Sequence, residues 1–197
     1  YGVPFLFVIT EPDLGTSLVL IFMFLATTFV WGVRWRTILL SVAGMIFLVL
    51  PLSWNFALNA TQKERIMTFL FRGHDKTASY HINQSLAAVA SGGLAGNRTG
   101  ENVSVPVKES DFIFPAISEQ LGLIGTTVVI LLAAYFIFHT FRVASKIHSR
   151  SPEESYIMVA LISGLAFHFV ENIGMTVGLL PITGIPLPFI SYGGSAM

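Results

Sequence analysis

Long apolar runs separated by short polar breaks make up most of the chain, but between about residues 56 and 120 the pattern turns polar and interrupted. Four runs are long enough to cross roughly 30 Å of hydrocarbon as helices: about Leu14 to Gly32, Thr37 to Asn55, Leu121 to Phe141, and Tyr156 to Leu179. Tyr1 to Thr10 and the segment from Leu187 onward read as parts of two further crossings, so the chain is expected to be a piece of a longer protein. "EPDLGT" holds Pro12, Asp13 and Gly15, which end one helix and cap the next, and predicts a tight hairpin at a membrane face.

The polar stretch is patterned rather than linker-like. "TQKERIMTFL" puts Ile66, Phe69 and Leu70 on one helical face, and "SYHINQSLAAVASGGLAG" spaces Ile82, Leu86 and Val89 as a second amphipathic helix ended by Gly92 and Gly93. Apolar faces of this kind argue for a cap lying on the membrane surface and against disorder. The expected fold is therefore all-α: a polytopic transmembrane helix bundle, one integral membrane domain over 1–197, with a large extracytoplasmic loop at about 56–120 that contains short amphipathic helices.

Composition sharpens the class. The chain is 53% hydrophobic and 11% charged, with a mean hydropathy of +0.72, which excludes an ordinary soluble domain. The formal net charge of zero offers no basic field for nucleic acid, and the absence of cysteine removes disulfides, thiolate metal sites and a Cys nucleophile. Orientation comes from the basic residues in short loops. Arg34 and Arg36 form one such loop, and Arg142, Lys146, His148 and Arg150 form another, so both are expected to face the cytoplasm. An odd number of crossings separates each from the polar stretch, which places that stretch, and "GLLPITGIPLP", on the outer side.

The candidate chemistry gathers on that side. Asp111 precedes "FIFPAI", where an outer loop enters lipid; desolvation there favours the neutral acid, whereas cations such as Lys108 or Arg65 favour the carboxylate. A poised base and a plain helix N-cap both suit the position. Glu119 falls about two helical turns later, as a second carboxylate on a similar face or a solvated interfacial Glu. "LLPITGIPLPFISYGG" reads as a broken or re-entrant element covering a cavity. His168, Glu171 and Asn172 lie in an apolar helix, where polar side chains are costly. The i, i+3 spacing of His168 and Glu171 fits a metal pair or a hydrogen bond between helices. "SGG" and "YGGS" lack the spacing of a nucleotide loop and are better explained by packing and turns.

Five motifs in order, "PDLGT" at 12–16, "NQSLAAVASGGLAG" at 83–96, "SDFIF" at 110–114, "NIGM" at 172–175 and "GLLPITGIPLPFISYGGS" at 178–195, resemble the SEDS family (shape, elongation, division and sporulation). "VPVKESDFIF" and "HFVENIGM" are more similar to elongation-type members (RodA) than to division-type members (FtsW). The resemblance covers nearly the entire chain and about the C-terminal half of a family member. It implies a peptidoglycan glycosyltransferase that polymerises lipid II at the outer face of the bacterial cytoplasmic membrane, beside a class B penicillin-binding protein. Asp111 matches the family's essential acid, a general base on the acceptor sugar. Lys63, Arg65, Arg72 and Lys108 would meet the pyrophosphate. Glu119, Tyr80, Gln84, Ser91, Pro181, Thr183, Gly184 and Pro188 would line the substrate groove. The motifs name no cofactor, and the chemistry would accept a divalent cation, Mg or Mn, with unknown ligands. The alternatives are a lipid II flippase and a non-catalytic scaffold for the penicillin-binding protein. The first needs a polar path through the crossings, and these carry little beyond His168 and Glu171.

Overall fold

Asp13 starts the first helix for a local reason: its carboxylate accepts the Thr16 backbone N–H at 3.0 Å, satisfying a donor that has no partner inside the helix. The computed structural model describes residues 13–44, 47, 51, 54, 59–71, 76–97 and 111–191. Every regular element among them is a helix: α1 Leu14–Val30, α2 Trp35–Gly44, α3 Ala60–Leu70, α4 Lys76–Ser91, α5 Ile113–His148 and α6 Pro152–Thr176. Two of these, α5 and α6, are long and apolar enough to cross a membrane; α1 is apolar but shorter, at 17 residues.

The helix bounds differ from the hydropathy windows. α5 runs on to His148, so Arg142, Lys146 and His148 stand on its last turns instead of in a loop. Nothing between Phe141 and His148 breaks a helix, and cations at a helix C-terminus are favoured by the dipole. α6 starts at Pro152, a good first helical residue, with Glu153 and Glu154 in the first turn. Of the run expected from Thr37 to Asn55, the described helix is α2, and Pro12, the segment 1–10 and residues 192–197 lie outside the described residues.

The chain divides into two compact units, Tyr1–Lys63 with Ile137–Phe167, and Glu64–Phe136 with His168–Met197. In the first, α1 lies antiparallel to α6. Phe22 packs on Phe167 with ring centroids 5.2 Å apart, Trp31 on Tyr156 at 6.1 Å, and Gly164 makes room for the Met23 side chain. Ser155 Oγ donates to the Ala144 carbonyl at 2.9 Å and ties the start of α6 to the end of α5.

In the second unit a glycine-rich turn meets a broken helix. Gly122, at φ 65° and ψ −167°, is non-helical and splits α5 into a short arm and a long one. That break takes the usual carbonyl partners from the following N–H groups. Leu123 N donates instead to the Gly93 carbonyl (2.9 Å) and Ile124 N to Leu94 (3.1 Å), while Asn97 N donates to Glu119 (2.8 Å). The two backbones approach so closely that a Cβ on Gly92 would collide with the Ser118 carbonyl, and one on Gly122 with the amides of Ala95 and Gly96. "SGGLAG" is thus an acceptor surface for a kinked helix. The faces expected of the amphipathic helices are only partly used: Leu70 is exposed, Gln62 and Thr68 are the buried positions of α3, and Ser85 and Ala88 those of α4. Small residues win on α4 because Ser85 Oγ reaches the Thr176 carbonyl at 2.6 Å, an approach that a larger side chain would block.

Candidate functional site

Three segments of the second unit converge: the turn before α5, the end of α6, and the proline-rich run after it. Asp111 stands half-buried in the turn. The Asn172 amide, fully buried at the end of α6, donates through Nδ2 to the Asp111 carbonyl and to the Ile185 carbonyl, each at 2.8 Å. One NH2 carries two hydrogens, so both acceptors are served at once, and the two segments are pinned to one side chain. The proline-rich run passes close to the Asp111 carboxylate at Gly184, whose φ is 80°; a Cβ there would stand 3.4 Å from Asp111 Oδ2. Behind Asp111, Phe112 is buried and stacks on His81 of α4, centroids 6.2 Å apart and 29° between planes.

A cation and a second carboxylate border the same run. Arg65 of α3 donates from Nη1 to the Thr183 carbonyl at 3.2 Å. Glu171 is 1% exposed, and neither of its oxygens has a hydrogen-bond partner among the described residues. The Thr183 hydroxyl faces it, and neither that hydroxyl nor Asn172 Oδ1 meets hydrogen-bond geometry with a partner among the described residues. Buried polar atoms left open in this way are uncommon in native proteins and mark places where something other than packing is at stake.

Of the residues expected at the site, Asp111, Arg65, Thr183 and Gly184 come together. Pro188 is buried and lines an apolar cavity of about 430 Å³ with Phe136, Phe169 and Phe189. Phe189 adopts φ 65°, unusual for a bulky residue, and sets its ring 5.7 Å from that of Phe136. Pro181 is half-buried. Tyr80 is 52% exposed and accepts a hydrogen bond from Gln84 Nε2 at 2.8 Å, and Ser91 turns its hydroxyl back to the Ala88 carbonyl at 2.9 Å. Glu119 is 1% exposed beneath the glycine turn, so it is not the solvated interfacial group that its polarity allowed. Lys63 belongs to the first unit, its Nζ 6.0 Å from the Trp54 ring. Arg72 and Lys108 lie outside the described residues. Asn172 joins these residues; its sequence signal is an amide in an apolar helix. No three His, Cys, Asp or Glu side chains converge into a metal cage among the described residues.

Comparison with known proteins bears on the whole chain. A family model described as "Cell cycle protein" (FTSW_RODA_SPOVE) matches residues 1–197. The chain belongs to this SEDS family. It is 34% identical over 201 residues to "Peptidoglycan glycosyltransferase MrdB" of Escherichia coli K12, covering 98% of the chain and 53% of that protein. It is 35% identical over 202 residues to "Stage V sporulation protein E" of Bacillus subtilis 168, with the same coverages. A solved structure described as "Structural coordination of polymerization and crosslinking by a peptidoglycan synthase complex" superposes with a TM-score of 0.76 at 28% identity, over 95% of this chain and 52% of that one. The SEDS chain described here spans about half the length of the curated relatives it matches.

Proposed function

We propose that the chain carries the general base of a peptidoglycan glycosyltransferase that polymerises lipid II at the outer face of the cytoplasmic membrane. Asp111 takes the proton from the 4-hydroxyl of the acceptor sugar as that oxygen attacks the anomeric carbon of the donor. A new glycosidic C–O bond forms, the bond to pyrophosphate breaks, and undecaprenyl pyrophosphate leaves with the electron pair. The observation that carries this reading is the seat of Asp111: its backbone is pinned by Asn172 while its carboxylate stands beside the open backbone of Gly184. A base must be held within hydrogen-bond reach of the proton it removes, and a fixed backbone beside a side-chain-free neighbour supplies both constraint and room. The names borne by relatives support the same chemistry, MrdB being a peptidoglycan glycosyltransferase.

The leaving pyrophosphate needs positive charge. Arg65 borders the site, and its guanidinium, which donates to the Thr183 carbonyl, carries further N–H donors. Arg72 and Lys108 would supplement it. Among the described residues no three His, Cys, Asp or Glu side chains are grouped to hold Mg or Mn. A crosslinking partner of the class B penicillin-binding type is supported by the solved synthase complex, and an elongation role by "VPVKESDFIF" and "HFVENIGM".

The deciding experiment is Asp111→Asn in the intact protein with its partner. Polymerisation of lipid II should fall by roughly 10²–10⁴-fold, the usual worth of a positioned base, while the protein still folds and binds its partner. A flippase or a scaffold predicts near-normal function for that variant, and full polymer synthesis by it would defeat the assignment.

A further inference from the structure

At one end of the first unit the last turns of α1 and α5 meet the start of α6. Tyr156 is the common point: its ring lies 6.1 Å from that of Trp31, just past α1, and 5.5 Å from that of His148, the last residue of α5. Exposed cations surround this end: Arg34 and Arg36 shortly after Trp31, Arg142 and Lys146 near the end of α5, and Arg150 just beyond it. None of them makes an ion pair among the described residues, although Glu153 and Glu154 stand exposed in the first turn of α6. Two ordinary reasons for such cations fall short. The dipole of α5 favours Lys146 and His148 in its last turn, but the pull fades within that turn and Arg142 lies outside it. Sidedness of insertion needs basic charge near a crossing but no particular geometry. Here the geometry is particular: Arg142 and Lys146 are one turn apart on one face of α5, where like charges repel. One turn before Arg142, the ring of Phe138 is 58% exposed, and the Arg142 guanidinium carbon stands 4.9 Å from its centre. That face of α5 thus passes from apolar to cationic within two turns, at the end of a helix long enough to cross a membrane.

We propose that this end of the first unit is a binding surface for an anionic phospholipid. Arg142 and Lys146 share its phosphate head group, Arg34, Arg36 and Arg150 supply the surrounding positive field, and an acyl chain lies along Phe138. Charge and form together select this occupant. An anion between Arg142 and Lys146 relieves their repulsion, and basic clusters at the end of a crossing attract anionic lipid. A tail continuous with the head group covers the Phe138 ring, whereas a free phosphate has no tail and an acidic protein would have to enter the lipid to reach that ring. The exposed Trp31 and Trp35 beside Arg34 and Arg36 are the aromatic residues typical of a membrane boundary. The surface is independent of the reaction assigned to Asp111.

Lipid competition on the intact protein tests it. The purified protein in detergent is offered equal amounts of phosphatidylglycerol and phosphatidylcholine with the same acyl chains, and native mass spectrometry reads which lipid is retained. Phosphatidylglycerol should be kept in preference. Arg142→Gln and Lys146→Gln should each lower that preference about fivefold, the usual worth of one cation at an anionic membrane surface, and the combined variant should lower it further. Arg34, Arg36 and Arg150 remain in every variant, so the basic signal for insertion is kept. The thermal midpoint in detergent alone should not fall, because the removed cations are exposed and make no ion pair among the described residues. Added phosphatidylglycerol should raise the midpoint of the unsubstituted protein more than that of the combined variant. At constant ionic strength, an excess of inorganic phosphate or of a polyglutamate peptide should leave the preference unchanged. Displacement by phosphate would mean that the surface takes the anion alone, and displacement by the peptide that it serves an acidic protein; either would overturn the proposal. So would a preference, or a rise in midpoint, that is the same with and without Arg142 and Lys146.

Discussion

At the Gly122 kink the donors set free at Leu123 and Ile124 find the carbonyls of Gly93 and Leu94; at the meeting of residues 171–172 with 183–185, four buried oxygens find no partner among the described residues. Both places lie in one unit and both bury polar groups, so their difference is not one of environment. The first is closed, with backbone amides meeting backbone carbonyls at 2.8 to 3.1 Å and no side chain between. The second is open between the points where Asn172 and Arg65 reach across it. A framework must satisfy its own hydrogen bonds to be rigid, whereas a site keeps unsatisfied ones for what it must bind or move.

The comparison breaks most visibly at the kink. Gly122→Ala adds a Cβ where the amides of Ala95 and Gly96 already stand, at a φ and ψ that only glycine adopts readily. The expected cost is about 3 kcal/mol or more. Thermal unfolding of the detergent-solubilised intact protein should show a large drop in midpoint, with activity lost only in step with folded protein. A variant of normal stability would mean that the turn and the kink are not locked together.

These contrasts also show how far the sequence could be read. Apolar run lengths made the long helices legible, because a crossing needs a minimum of uninterrupted apolar residues, and Asp13 marked a start by local chemistry, whereas the run read from Tyr156 missed the polar first turn at Pro152. Bounds at α5 were less legible, since hydropathy falls at Arg142 while nothing stops the helix until Ser149. The kink at Gly122 was hidden: a glycine in an apolar run reads as a tolerated helix residue, and the distant 92–96 turn makes it a break. At the site, Asp111 was legible from its place at a polar-to-apolar seam. Its association with Thr183, Gly184 and Arg65 was not derivable from spacing, because these contacts join residues far apart in the chain. Glu171 and Asn172 were visible as costly polar residues, but their different fates among the described residues depend on distant segments: Asn172 meets the carbonyls of Asp111 and Ile185, whereas no donor closes on Glu171.

Asn172→Ala would sharpen the comparison at a point where the site is closed. It leaves the carbonyls of Asp111 and Ile185 without their shared donor in a buried setting, at an expected cost of about 2 kcal/mol. Two consequences should separate. The midpoint should fall less than for Gly122→Ala, but polymerisation should fall further than the folded fraction does, because the base loses its anchor. A loss of rate that merely tracks unfolding would make Asn172 part of the framework.

The smallest effect is expected at Thr183, and its sign is what matters. Replacing Thr183 by Val keeps the shape of the side chain and the backbone carbonyl that Arg65 uses, and removes only a buried hydroxyl that has no partner among the described residues. At a closed site such as Ser85, deleting a hydroxyl should destabilise by about 1 kcal/mol, because the Thr176 carbonyl would be left with one bond fewer. At Thr183 the removed group was not offsetting its own desolvation, so the same kind of deletion should leave the midpoint unchanged or raise it slightly. Differential scanning of Thr183→Val beside Ser85→Ala reads the difference directly: opposite signs would mean that open and closed polar groups are distinct features of one unit, while two equal losses would show that the Thr183 hydroxyl is bonded in the intact protein.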